Sequence, residues 1–355
     1  MREILDQIVR WRSEGKKIAV ATNVRKDGSS LRPLGSKMAM TLATNKGKSH
    51  HSPEIAGSVT GGCVEGAVYE EGQSVIKNGQ PKLLKYGIVE EDKPWEIGLT
   101  CGSSLEIFVE SLDGPGWQEI LDPLLGALAQ NEKVALATVI NGDLPGSKML
   151  VWSSGQTRGS LGSSKLDEEA KEIAKWSMEN EISEPKEIQG FTIFIDVLVP
   201  PARLIVIGAV HIAIPLVAQA KTLGFKTIVI DPREAFATRE RFPETIADEL
   251  LVEWPSDALI RLSLDEGTAV AALSHDGKLD NPALEVALKS KARYVGVLGT
   301  RKKISERKDV LKTMGVAENE LNRLRAPIGI NIKAVSPEEI ALSILAEIVA
   351  VKHGL

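Results

Sequence analysis

Residues 191–213 read FTIFIDVLVPPARLIVIGAVHIA, and the fold turns on how this stretch is divided. Two apolar runs, FTIFIDVLV and LIVIGAV, flank Pro200-Pro201, and a proline pair cannot continue a ladder because it offers no backbone N–H. The main domain boundary is therefore expected there, with residues 1–200 on one side and 201–355 on the other. From Leu204 onward apolar runs near 204–207, 227–230, 268–273 and 294–298 alternate with helical segments, the pattern of a parallel sheet with crossover helices. The second half reads as doubly wound α/β.

The first half resolves when it is laid against itself. EILD at 3–6 recurs at 119–122, IAVAT at 18–22 as VALAT at 134–138, and GSKMAM at 35–40 as GSKMLV at 146–151. Further on, GSV at 57–59 matches GSL at 159–161, and LEIFVE at 105–110 matches FTIFID at 191–196, with the order kept throughout. We read this as a duplication, with copies at about 1–112 and 117–198 forming one N-terminal α/β domain. The copies diverge at one place: the first continues GSVTGGCVEG and the second GSLGSSKLDE, so Lys165 stands where the first copy has Cys63.

Composition narrows the function classes. A chain of 355 residues with 43% apolar content suits two or three domains, each with its own core. The net charge of −5 leaves no basic excess for phosphate backbones, and 4% aromatic residues provide few stacking platforms, which argues against nucleic acid. The start, MREILDQIVRWRSEGKK, is a charged helix-like segment without a signal-peptide core, and no apolar run reaches bilayer length. A cytoplasmic protein with no membrane partner is expected. The two cysteines, Cys63 and Cys101, are too few for a disulfide framework or a structural zinc site.

The stretch GSVTGGCVEGAV at 57–68 is the richest in chemistry. Val59 ends an apparent strand, Thr60 to Gly62 form a turn, and Val64, Ala67, Val68 and Val75 have helical spacing. Cys63 then stands near a helix N-terminus, where backbone N–H groups favour a thiolate or an anion. Two readings stand side by side: a small buried hydrophobe, or a functional thiol, towards which Lys165 in the second copy tilts the balance. Glu65 serves either the site or simply the helix start. Cys101 and Gly102 lie in a polar turn, TCGSS, before a strand, and the two thiols are expected to face a common cleft. Arg32 and Lys37, in SSLRPLGSKM, form an anion clamp or a solvated surface.

With these motifs in view the chain resembles the XdhC/CoxI family of xanthine dehydrogenase accessory proteins. The resemblance is carried by GSVTGGCVEG, RPLGSKM and the CGSS turn. In the second half it is carried by DPREAFATRERFP, LSHDGKLDNPAL, VGVLGTRKK, APIGINI and SPEEIALSILAEIVA. It implies a Rossmann-like C-terminal domain, a homodimer, and a protein with no turnover of its own. Such a protein binds the molybdenum cofactor (molybdopterin), protects it while a cysteine desulfurase supplies sulfur, and delivers it to a molybdenum hydroxylase such as xanthine dehydrogenase. The family's GGCVE falls on Gly61, Gly62, Cys63, Val64 and Glu65, and its CG turn on Cys101 and Gly102. Cys63 and Cys101 are thereby the expected metal ligands, since thiols suit soft molybdenum and sulfur chemistry.

The second half departs from the family in one respect. After LIVI a G-x-G turn is expected, but the run is Gly208-Ala209-Val210-His211. Valine takes the place of the glycine that would let backbone touch a pyrophosphate, so NAD(P) is not expected to bind tightly. Asp231 ends the next strand, where a ribose-binding carboxylate would stand. His211, as a lid or a helix cap, His275 after TAVAALS, and Arg301 after VGVLG complete a candidate set at the sheet edge. The alternatives are an NAD(P)-dependent oxidoreductase using Gly208 and Asp231, and a non-catalytic scaffold for the target enzyme.

Overall fold

The structure, a computed structural model, describes residues 1–28, 32–42, 54–87 and 104–355. The chain divides into two compact units, Met1–Pro200 and Pro201–Leu355.

In the first unit, α1 (Leu5–Ser13) leads into β1 (Ile18–Asp27), β2 (Lys37–Thr41), β3 (Ile55–Gly57), α2 (Glu65–Asn78), β4 (Lys82–Tyr86) and β5 (Ser104–Ser111). The same succession follows: α3 (Leu121–Ala129), β6 (Val134–Asn141), β7 (Lys148–Trp152), β8 (Thr157–Ser160), α4 (Ser164–Asn180), β9 (Glu184–Ile188) and β10 (Phe191–Leu198). Among the described residues each set makes a five-stranded antiparallel sheet, ordered β3-β2-β1-β5-β4 and β8-β7-β6-β10-β9. The repeat read in the sequence is a repeat of topology.

Alternation along the central strands assigns the faces. Ala19 and Ala21 of β1 pack with Val64, Val68 and Val75 at α2, and Ala135, Ala137 and Val139 of β6 pack with Leu166, Ala170 and Ala174 of α4. The intervening residues face the other way, into a shared core. There Ile18 and Val20 of β1 meet Val134 and Leu136 of β6, together with Trp11 of α1 and Leu124 of α3. Val24, Phe108, Ile140 and Phe194 close a further cluster drawn equally from the two copies.

Buried charge crosses between the copies in the same reciprocal way. Lys37 of the first copy is 2.6 Å from Asp196 of the second, and Lys148 of the second is 2.8 Å from Glu110 of the first. Lys37 also donates to Thr22, and Lys148 to Thr138 at the matching place of its own copy. Burial pushes the Glu110 carboxyl up and the Lys148 ammonium down, and their mutual attraction opposes both shifts.

The second unit runs β11 (Arg203–Ile207), α5 (Ala213–Thr222), β12 (Lys226–Ile230), β13 (Glu249–Leu251), α6 (Pro255–Leu262), β14 (Thr268–Ala272), α7 (Gly277–Lys289), β15 (Tyr294–Val297), α8 (Arg301–Thr313), α9 (Glu318–Leu321), β16 (Leu324–Arg325) and α10 (Pro337–Lys352). Its sheet is parallel with order β13-β12-β11-β14-β15-β16, the nucleotide-fold order in which the winding reverses between β11 and β14. Leu204 and Val206 face a cluster with α5 and α10, while Ile205 and Ile207 face α6 and α7. The four strands expected from sequence are present. The two edge strands, of three and two residues, are too short to carry a periodicity, and they go unread in the sequence. Among the described residues no helix is long and apolar enough to cross a membrane.

Candidate functional site

Between β3 and α2 the chain turns sharply outward. Val59 and Val64 are buried and pin both ends of the turn, whereas Gly61, Gly62 and Cys63 are exposed. Gly61 and Gly62 have φ of 98° and 127°, a region closed to residues with a Cβ except at strain, so this path needs both glycines. The thiol is therefore free and at the surface, and packing does not account for it.

The N–H groups expected to be open near the helix start are taken. The Glu65 carboxylate accepts from the backbone N–H of Thr60, Gly61 and Gly62, each at 2.9 Å, and from that of Val64 at 3.2 Å. It also accepts from the hydroxyls of Ser58 at 2.5 Å and Thr60 at 2.6 Å. Partial burial acts to raise its pKa, but these hydrogen bonds outweigh burial, and the carboxyl is held well below the usual range. Glu65 stays ionised at neutral pH, and its stabilising effect is fully present above the ordinary carboxylate pKa of about 4.3 and is lost progressively as pH falls from there through the depressed value.

The second copy does the same with fewer partners. Asp167 accepts from the Ser160 hydroxyl and the Leu161 N–H, both at 2.7 Å. In each copy the carboxylate lies seven residues after its serine, which sets Cys63 opposite Lys165. There α4 has already begun at Ser164, capped by Ser163, whereas in the first copy the corresponding residues are unwound and the helix starts at Glu65.

The other candidates in the first unit are engaged. Arg32 pairs with Glu3 at 2.5 Å, and Lys37 with Asp196 as described, so neither stands as a free clamp on the surface. Cys101 and Gly102 lie outside the described residues, and with them the expectation of a common cleft for the two thiols. Among the described residues no group of three or more His, Cys, Asp or Glu is arranged to hold a metal.

In the second unit the candidates stand at the carboxyl ends of the parallel strands. Gly208 (φ 97°) follows β11, and a Cβ there would lie 2.7 Å from the Cα of Ser274, so the crossing of the two strand ends admits only glycine. Val210 is half-buried against the α5 and α10 core. Asp231 is fully buried and accepts from the N–H of Ala209 at 2.8 Å and of Arg233 at 3.0 Å, and from the Arg233 guanidinium at 2.6 and 2.8 Å. Burial raises this carboxyl, the Arg233 contacts more than offset that, and it sits below its ordinary value. Arg241 in turn donates to the carbonyl oxygens of Ala209 and Phe236. The residues of DPREAFATRERFP thus tie the Gly208 turn to the next strand.

His211 is exposed just before α5, whose N-terminus has no side-chain cap. His275 is exposed with φ 61°, an unusual conformation for a non-glycine residue, and Asp276 beside it caps α7 through the N–H of Lys278. α8 begins at Arg301, whose side chain is outside the described set. Sequence reading passed over Asp280, which is wholly buried, accepts from Ser274 at 2.6 Å and pairs with Arg307 at 3.2 Å. The signal for it was a lone charge on the apolar face formed by Leu279, Ala283 and Leu284. Ser58 was passed over too, although the serine–carboxylate spacing recurs in both copies.

Fold and site together define a two-unit α/β protein that pairs a duplicated antiparallel unit, bearing the exposed thiol of Cys63 on a glycine turn, with a Rossmann domain. The chain belongs to the XdhC and CoxI family: that family's model matches residues 11–87 and 127–186, and the XdhC Rossmann domain model matches residues 204–348. It is 25% identical to a probable xanthine dehydrogenase subunit of Bacillus subtilis over 334 residues, 93% of this chain and 92% of that one. It is 26% identical to the molybdenum cofactor insertion chaperone PaoD of Escherichia coli over 352 residues, 99% of this chain and 88% of that one. A crystal structure from Bacillus halodurans, described as a xanthine dehydrogenase, shares the fold with a TM-score of 0.76 at 24% identity, covering 99% of this chain and 96% of that one.

Proposed function

We propose that the chain is a molybdenum cofactor chaperone: it binds the cofactor, supports its sulfuration with a cysteine desulfurase, and inserts it into a molybdenum hydroxylase such as xanthine dehydrogenase. It would act as a cytoplasmic homodimer with no turnover of its own. The observation that carries the reading is the exposed Cys63 on a turn that two positive-φ glycines and the Glu65 lock hold away from the core. An exposed thiol is a suitable partner for soft metal and sulfur chemistry, and nothing in the packing of the unit requires it. The names of two relatives, one a xanthine dehydrogenase subunit and the other a molybdenum cofactor insertion chaperone, support the same direction. The test is elemental analysis of the full chain after it is mixed with cofactor released from a molybdenum enzyme and desalted. Stoichiometric molybdenum supports the reading, and none at all would end it.

A nicotinamide-dependent oxidoreductase finds no support at the Gly208 turn. The carboxylate that would hold a ribose is saturated by Arg233 and Ala209, and Val210 carries two methyls where a pyrophosphate needs bare backbone. NAD and NADP are expected to bind no tighter than about millimolar in calorimetry, and submicromolar affinity would refute this account of the turn.

A further inference from the structure

Glu65 is the acidic residue of the GGCVE stretch, and its carboxylate is directed back into its own loop. We propose that Glu65 is a positioning residue and not a ligand of the cargo: it fills the ring of N–H groups at Thr60, Gly61, Gly62 and Val64, and so holds the turn that presents Cys63. The inference rests on the reading of Cys63 as the working thiol.

Two observations carry it. The first is saturation: six donors converge on one carboxylate, four from backbone and two from hydroxyls. The Ser58 hydroxyl that donates to Glu65 also accepts from Gly61 at 2.8 Å, and that of Thr60 accepts from Cys63 N–H at 3.2 Å. Without an anion at their centre the four N–H groups would point at one another's partial positive charge, and the turn would open. The second is the internal comparison. In the other copy Asp167, at the same spacing, holds one hydroxyl and one amide, and the chain beyond it is helical. Only the copy with a cysteine has its helix start unwound and the extra amides gathered onto the carboxylate.

One consequence concerns the cargo. An incoming phosphate would have to displace a tethered carboxylate with six partners in order to use these amides. The anionic part of the cargo is therefore held by other groups, and the turn contributes its thiol.

The test uses the full chain without cargo and reads alkylation of Cys63 by iodoacetamide on its own peptide by mass spectrometry. In Glu65→Ala the rate changes by about threefold or more, because the turn no longer fixes the thiol's surroundings. Acetate added to the buffer brings the rate back towards the parent value by entering the vacated ring. Glu65→Gln does not restore it, because its amide group sets donors against donors. A rate unchanged in Glu65→Ala, or restored by Gln as well as by acetate, overturns the proposal. Should the alanine variant fail to fold, Glu65→Gln alone decides: a rate different from the parent supports the positioning role and an equal rate overturns it. Because no molybdenum enters this assay, a chain that never retains the cofactor would end the proposed function without touching this result.

Discussion

Cys63→Ser is expected to leave the melting curve of the chain in place and to lower molybdenum retention by about tenfold or more. Serine is nearly isosteric, and the thiol it replaces is exposed, so no hydroxyl is buried and no packing is lost. The penalty of about 1 to 3 kcal/mol that a buried site would incur does not arise. What changes is the chemistry of the atom, since a hydroxyl is a poor partner for soft metal and sulfur centres. Elemental analysis and calorimetric melting of the two proteins side by side provide the check. An unchanged melting curve together with unchanged molybdenum retention would show the turn to be misread. Cys101→Ser gives the comparison, and a smaller effect there would make Cys63 the principal residue.

Lys148→Met has the largest expected effect on stability. The lysine side chain is wholly buried, lies 4.5 Å from the centre of the Trp117 ring, and is 2.8 Å from Glu110, itself almost fully enclosed. Methionine replaces the aliphatic stem but leaves a carboxylate without its counter-charge, and removing one partner of a buried pair costs about 3 to 5 kcal/mol. Protonation of Glu110 limits the part of this loss that is due to its charge. At about 1.36 kcal/mol per pH unit above an ordinary carboxyl pKa near 4.3, holding Glu110 neutral costs about 3.7 kcal/mol at pH 7 and only about 1 kcal/mol at pH 5. The loss should therefore shrink as pH falls, and urea unfolding at the two pH values measures it. Adding Glu110→Gln to the same chain should recover most of the loss at pH 7, because a neutral amide needs no counter-charge. A destabilisation that is the same at both pH values would mean that charge is not what the lysine contributes.

Much of the architecture is legible along the chain, because it depends on local rules. Ser336 caps the last helix and accepts from Glu339, with Pro337 in the first turn, and all three roles follow from residue type and spacing alone. The parallel strands of the second unit declare themselves as short β-branched and aliphatic runs because both of their faces are buried. The repeat is visible because equivalent positions in two copies meet equivalent neighbours, down to the paired lysines and threonines. Even the exposure of Cys63 is foreshadowed by a lysine at the matching place, since Lys165 is itself exposed, unlike the paired lysines Lys37 and Lys148.

Charge partners follow a different logic. Lys37 and Asp196 are 159 residues apart, and no periodicity relates them; they meet because the two copies pack with their matching faces together. Asp231 has the spacing of a ribose ligand, yet it is Arg233, folded back on it, that decides its role. Glu65 is equally suited by sequence to a ligand or a helix start. Its direction is settled by the left-handed path of Gly61 and Gly62, which swings their N–H groups onto its carboxylate. Propensity and burial pattern act over a few residues and can be read from the sequence. The destination of a buried charge is set by whichever group the folded backbone brings within about 3 Å, so only the tertiary structure decides it.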